Sequence, residues 1–87
     1  MGAIKDKYPN ANRKNNPYRE GSAHYNVFEA CASDKGITLK EIISLAPNSR
    51  EINNARMYIY NIIRECKNIQ IDEVEPDLFK MIKGQIL

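Results

Sequence analysis

The chain has 87 residues, 43% of them hydrophobic, which is enough for one small domain and too few for two. The formal net charge of +2 does not by itself indicate a nucleic-acid partner. No apolar run approaches the roughly 18 residues of a membrane-spanning helix, and the two cysteines do not suggest a disulfide-framed scaffold. We therefore expect a cytoplasmic protein with no membrane contact.

Residues 1–21 are rich in Asn, Lys, Arg, Pro and Gly and lack helical or strand periodicity. Five basic and two acidic side chains lie within the first twenty positions. This composition predicts a flexible basic arm, with residues 22–87 forming the folded domain. A disordered N-terminus without a role is the alternative, and Tyr18 is the residue expected to pack back onto the domain.

The first helix is predicted at 23–34. Ser22 is a suitable N-cap, since a hydroxyl can accept a hydrogen bond from an amide of the first turn. Val27, Phe28 and Cys31 recur at helical spacing and give the helix its apolar face. Gly36 is a suitable stop shortly after it.

The second helix is predicted at 39–46 from a capping box. Thr38 and Glu41 are three residues apart, so each side chain can bond the other residue's backbone amide. Pro47 ends this helix, because proline lacks an amide hydrogen and its ring clashes with the preceding turn.

The third helix is predicted at 49–66, with Asn48 and Glu51 repeating the same capping pattern. Its apolar positions recur over four turns and predict one buried face. That face comprises Ile52, Ala55, Ile59, Ile62, Ile63 and Cys66. Two helices joined by a tight turn are typical of a helix-turn-helix, and the first helix closes a small three-helix core.

The C-terminal part is predicted to form a β-hairpin. Apolar residues alternate with polar ones over 69–74, which indicates a strand, and Glu75-Pro76-Asp77 can form a turn. Residues 78–83 can be a returning strand, with Glu73 opposite Lys80 in a tight register, or a helix. The adjacent apolar pairs Leu78-Phe79 and Met81-Ile82 do not alternate with polar residues, which favours a helix locally. The preceding strand needs a partner, however, and this favours the hairpin.

In this order of elements, "GITLKEIISLAPNSREINNARMYIYNIIREC" followed by "NIQIDEVEPDLFKMI" resembles the winged helix-turn-helix superfamily. "NPYREGSAHYNVFEA" also looks like the start of the first helix in small phage and bacterial proteins of this kind. The resemblance implies a mainly helical α+β fold with three helices and a short C-terminal β-hairpin, or a C-terminal helix instead. It also implies duplex DNA binding by the second helix of the motif, although some such domains serve as protein–protein modules.

The polar face of helix 49–66 supports DNA binding, because Arg and Asn can pair with base edges in the major groove. Four Asn residues over positions 50–68 are unusual for a merely solvated face, since Asn is a poor helix former. The arm is expected to follow phosphates or enter a minor groove, and Lys40 to touch the backbone. The predicted DNA-binding residues are Arg50, Asn53, Asn54, Met57, Tyr60, Asn61, Arg64, Lys40, Arg13, Lys14 and Arg19.

We expect no enzyme activity, metal or cofactor. His24 is the only histidine, the chain has no pair of cysteines spaced for zinc, and it has no glycine-rich phosphate loop. The predicted function is that of a small phage-like transcriptional regulator, which would suit a homodimer on a palindromic site. The alternative is a winged-helix module that binds a protein partner without DNA, through Met57, Tyr58, Tyr60 and the acidic segment 72–77.

Overall fold

The computed structural model describes residues 5–12, 14–45 and 52–82. Three helices precede a C-terminal β-hairpin, and a short strand between the first two helices completes a three-stranded antiparallel sheet. The elements are α1 (Ala23–Ala32), β1 (Ile37–Thr38), α2 (Leu39–Leu45), α3 (Ile52–Glu65), β2 (Ile71–Glu75) and β3 (Leu78–Met81). The α+β class and the hairpin are confirmed, and the alternative of a C-terminal helix is wrong.

Helix α1 begins as predicted at the Ser22 cap, whose hydroxyl accepts a hydrogen bond from the Tyr25 amide at 3.1 Å. It ends two residues before the predicted position 34. Ser33 closes it, because its hydroxyl donates to the Ala30 carbonyl at 2.6 Å. The helix buries Val27, Phe28 and Cys31, which are the residues that its periodicity selects.

The predicted capping box at the start of α2 is confirmed. The Glu41 amide donates to Thr38 Oγ1 at 3.2 Å, and the Thr38 amide donates to Glu41 Oε1 at 2.9 Å. Thr38 is also the last residue of β1, so the cap lies where a strand becomes a helix. The predicted cap of the next helix, Asn48 with Glu51, lies outside the described residues.

Helix α3 buries three of the predicted core residues, namely Ala55, Ile59 and Ile62, and Cys66, directly after the helix, is the fourth that is buried. Ile63, expected on the same face, is 39% exposed, and that part of the prediction is wrong. Each helical residue turns by about 100°, so Ile63 lies beside the stripe rather than at its centre. The side chain of Ile52 lies outside the described part of the helix.

In the sheet, β3 lies between β1 and β2. Asp72 faces Lys80 and Glu73 faces Phe79, so the predicted pairing of Glu73 with Lys80 is wrong by one residue. The register shifts between Glu73 and Glu75, where an irregularity inserts Val74 into the edge strand. The sheet closes one side of the helical core, with Phe79 and Met81 buried.

The segment before α1 contacts the end of α3. The Asp6 amide donates to the Arg64 carbonyl at 2.8 Å, and the Tyr8 amide donates to the Glu65 carbonyl at 2.7 Å. Ala11 is 1% exposed and belongs to the core. The division of the chain into an arm and a domain stays a prediction, but residues 5–12 lie against the domain.

No helix in the described part of the chain is long and apolar enough to cross a bilayer. Cys31 and Cys66 are both buried free thiols.

Candidate nucleic-acid interface

The outer face of α3 is a surface that the core leaves unused. Met57 is 51% exposed and Tyr60 is 58% exposed, and Arg64 and Lys67 continue the exposed face to the helix end. These positions lie opposite the buried stripe because 3.6 residues per turn separate the two faces. The structure thus brings three of the predicted DNA-binding residues, Met57, Tyr60 and Arg64, onto one surface.

Asn61 differs from its predicted neighbours because it belongs to a contact inside the fold. It is half-buried, and its Nδ2 lies 3.3 Å from Nε2 of His24, to which it can donate a hydrogen bond. The His24 ring lies between Tyr18 and Tyr58, with ring centroids 5.2 and 4.6 Å away. Asn61 therefore helps to join α1 to α3 and is poorly placed to read DNA.

The His24 contact predicts a pH-dependent stability. Burial lowers the pKa of His24 below its ordinary value of 6.5, although the charge of Glu65 acts in the opposite direction. Because burial disfavours the charged imidazolium in the folded state, the unfolded chain binds a proton at His24 more readily than the folded one. The stabilisation from neutral His24 is complete above pH 6.5 and is lost as the pH falls below that value.

Urea unfolding of the wild type and of His24→Gln between about pH 8 and about pH 5 measures this effect. The free energy of unfolding of the wild type should fall relative to that of the variant over this range. Parallel curves for the two proteins would contradict it, since all other titrating groups are common to both.

Other predicted DNA-binding residues are scattered or undescribed. Lys14 and Arg19 are exposed before α1. Lys40 is exposed at the start of α2, where it lines a groove that also contains Asp77 of the hairpin. Arg50 and Arg13 lie outside the described residues, as do the side chains of Asn53 and Asn54.

The hairpin tip is bound to α3 through Arg56, an arrangement that the sequence did not predict. The Arg56 guanidinium lies 3.1 Å from Asp77 Oδ1 and 3.6 Å from Glu73 Oε1, and it covers the Phe79 ring at 5.7 Å. The Asp77 amide also donates to Glu73 Oε2 at 2.6 Å. Only the wheel position of Arg56, at the edge of the core, could have suggested a structural role.

Basic side chains gather instead at the C-terminal end of α3. The hydrogen bonds of the Asp6 and Tyr8 amides place the segment that carries Lys5 and Lys7 beside the last turn of the helix. Both lysines are exposed, as is Lys67 just beyond the helix. The two ends of α3 therefore differ in charge: carboxylates predominate near Arg56, and near the helix end the basic side chains outnumber the carboxylates of Asp6 and Glu65.

The described side chains offer little for nucleophilic or metal chemistry. Burial raises the pKa of Cys31 to about 12 and that of Cys66 to about 11, so both thiols stay protonated near neutral pH. The pKa of Tyr18 is also raised, by burial and by its hydrogen bond to Glu65. Among the residues that the structure describes, no group of three or more His, Cys, Asp or Glu could hold a metal ion.

The molecule thus presents a surface suited to binding: an exposed helix face with a basic end and an acidic flank. No protein-family model, curated protein or solved structure matches the chain significantly. Its function therefore has to be inferred from this geometry.

Proposed function

We propose that the protein is a small winged helix-turn-helix regulator that binds duplex DNA through the outer face of α3. The order α1–β1–α2–α3–β2–β3 resembles that superfamily, in which the helix equivalent to α3 enters the major groove. A likeness of fold does not fix the ligand, so the support has to come from the exposed side chains.

The observation that carries the proposal is the exposed face that begins at Met57 of α3 and ends at Lys67, just beyond the helix. Tyr60 and Arg64 combine a large contact area with donors that reach phosphates or base edges, and folding does not bury them. Asn53 and Asn54, one turn earlier, stay in the proposed surface as predicted base contacts.

Phosphate contacts are proposed at the basic end of the helix. Lys67 and the lysines of the N-terminal segment, Lys5 and Lys7, can follow the backbone on one side of the groove. Lys14 and Arg19 extend this positive surface along the chain before α1. Protein side chains that neutralise phosphates release counterions, so the affinity should fall as salt rises.

The hairpin contributes no contact to DNA in this arrangement. Asp72, Glu73, Glu75 and Asp77 are all exposed, and phosphates would repel them. Arg56 holds the tip against the flank of α3, and its charge is already engaged by two carboxylates. The proposed contact therefore uses the helix face and the N-terminal segment, and Lys40, beside Asp77, is the weakest of the predicted contacts.

The salt dependence of binding to random duplex DNA tests the proposal. For the wild type, the logarithm of the association constant should fall linearly with the logarithm of the salt concentration. Lys67→Ala should weaken binding to all sequences alike and reduce the slope by about 0.9 for each phosphate that the protein no longer neutralises. Fluorescence anisotropy at several salt concentrations measures both effects.

Lys35→Ala is the matched control, because Lys35 is an exposed lysine in the turn after α1, outside the proposed surface. It removes the same charge and should leave the slope unchanged. A wild-type slope near zero would rule out the phosphate contacts and the proposal with them.

A protein partner is the second candidate, favoured by the apolar character of part of the same face. Met57, Tyr60 and Ile63 are large exposed side chains, and such groups are more typical of protein contacts than of phosphate contacts. Tyr58, expected to be exposed in this alternative, is half-buried against His24. A purified partner that binds wild type but not Tyr60→Ala, with no effect of nuclease, would support this candidate over DNA.

A further inference from the structure

We propose that two copies of this chain associate through the outer faces of α3, with the helices antiparallel about a two-fold axis near Tyr60. This association goes beyond the proposed function and does not depend on it. The surface is the exposed face of α3 from Met57 onward, with Lys67 just beyond the helix and the hairpin tip at residues 75–77.

The centre of this surface is apolar. Met57, Tyr60 and Ile63 recur every third residue and are 51%, 58% and 39% exposed. Side chains three apart are neighbours on a helix, so the three form one stripe. Covering that stripe with the same stripe of a second copy removes apolar surface from water in both chains.

The charges at the two ends of the stripe are complementary to each other. Near Arg56, the carboxylates of Glu73 and Asp77 outnumber the guanidinium that they bind, and Glu75 is exposed beside them. Lys67 is exposed in the turn just after α3, at the opposite end of the stripe from Arg56.

A two-fold axis just after Tyr60, about midway between Arg56 and Lys67, reverses the direction of the second helix. The acidic hairpin tip of each copy then meets Lys67 of the other copy, and the same pair occurs twice. A parallel arrangement would instead bring the two acidic tips together and the two lysines together. The charge pattern therefore selects the antiparallel arrangement.

This interface is small, since one helix and one hairpin tip contribute from each copy. It belongs to the weak and transient class of interfaces, so association should depend on protein concentration and weaken in salt. The same face is proposed for DNA, and the two partners would therefore compete for it. Self-association then keeps α3 covered when DNA is absent.

Charge reversal in pairs tests the arrangement, with sedimentation velocity of the full chain in the absence of DNA as the measurement. Lys67→Glu and Glu75→Lys each place like charges at both symmetry-related contacts. Each variant alone should dimerise about tenfold more weakly than wild type, because two attractive contacts become repulsive. An equimolar mixture of the two variants should recover wild-type association, since each copy then meets the opposite charge.

Lys35→Glu is the matched control for a reversed lysine, and it should leave association unchanged. A wild type that stays monomeric at all concentrations would overturn the proposal. So would variants that dimerise like wild type, or a mixture that fails to recover. Because no DNA is present, these results leave the DNA proposal intact, and a flat salt dependence of DNA binding would leave the dimer intact.

A disulfide trap provides a second measurement that does not rely on charge. Residue 60 lies beside its own symmetry mate, so Tyr60→Cys should form a cross-linked dimer on mild oxidation. The native thiols Cys31 and Cys66 are buried and should not compete. Lys35→Cys is the control, and equal cross-linking of the two variants would contradict the two-fold axis near Tyr60.

Discussion

Replacing Gly36 with alanine is expected to lower the free energy of unfolding by about 3 kcal/mol or more. Gly36 lies immediately before β1 with φ of 71°, a backbone conformation that L side chains rarely adopt. An added Cβ would lie 2.5 Å from the Phe79 carbonyl oxygen and would also overlap Cγ of Lys80. Both neighbours belong to β3, so β1 would have to separate from the middle strand of the sheet.

Gly21 is the matched control, since it also has a positive φ, of 90°, but no atom lies within 4 Å of its added Cβ. Gly21→Ala should lower stability only by the backbone strain, about 1–2 kcal/mol. Urea denaturation followed by circular dichroism compares the two variants with wild type. Equal losses would mean that the close approach of β1 to β3 does not limit the residue at position 36.

The consequence of Gly36→Ala extends to the proposed surfaces. The Leu39 amide donates to the Asp77 carbonyl at 3.1 Å, so the start of α2 and the hairpin tip are joined just after β1. The tip in turn holds Arg56 of α3. Displacing β3 would move the acidic tip and should weaken self-association more than it weakens DNA binding.

Elements with local signals were predictable from the sequence. The Ser22 cap and the Thr38–Glu41 capping box depend on residues three apart, and the structure contains both. The buried stripe of α3 follows from helical periodicity, with Ile63 misplaced because it lies at the edge of the stripe. The hairpin was correctly favoured because an isolated strand needs a partner.

Features that join distant parts of the chain were not predictable in the same way. The two-residue strand β1 carries no periodicity of its own and exists through its pairing with Leu78 and Phe79. Arg56 meets Asp77 across 21 positions, and Asn61 meets His24 across 37. Nothing in one sequence identifies such partners, because the fold alone brings them together.

In the candidate site too, features set by local sequence were predictable and contacts between distant residues were not. The exposure of Met57 and Tyr60 follows from the helical wheel, and the structure contains it. The engagement of Asn61 by His24 could not be inferred, since it depends on how α1 crosses α3. The basic end formed with Lys5 and Lys7 depends likewise on backbone hydrogen bonds from a segment expected to be mobile.

Tyr18→Ala is expected to lower the free energy of unfolding by about 3–4 kcal/mol. The Tyr18 ring packs against Tyr8, His24 and Phe28, with centroid distances of 5.1, 5.2 and 6.0 Å. Its hydroxyl donates to Glu65 Oε1 at 2.7 Å, which joins residues 47 positions apart. Truncation removes the ring and leaves the Glu65 carboxylate without this partner.

Tyr18→Phe separates the two contributions, because it keeps the ring and removes only the hydroxyl. It should lower stability by about 1.5–3 kcal/mol, the usual effect of removing a hydrogen bond to a charged group. Chemical denaturation measures both variants. Equal losses for alanine and phenylalanine would assign the whole effect to the hydroxyl and contradict the role of the ring.

Hydrogen exchange shows whether Tyr18 also holds the N-terminal segment. The Asp6 and Tyr8 amides donate to the end of α3, and they should exchange faster in Tyr18→Ala than in Tyr18→Phe. Lys5 and Lys7 depend on those bonds for their position. Tyr18→Ala should therefore reduce the salt dependence of DNA binding, although Tyr18 itself contacts no phosphate, and an unchanged salt dependence would remove these lysines from the proposed surface.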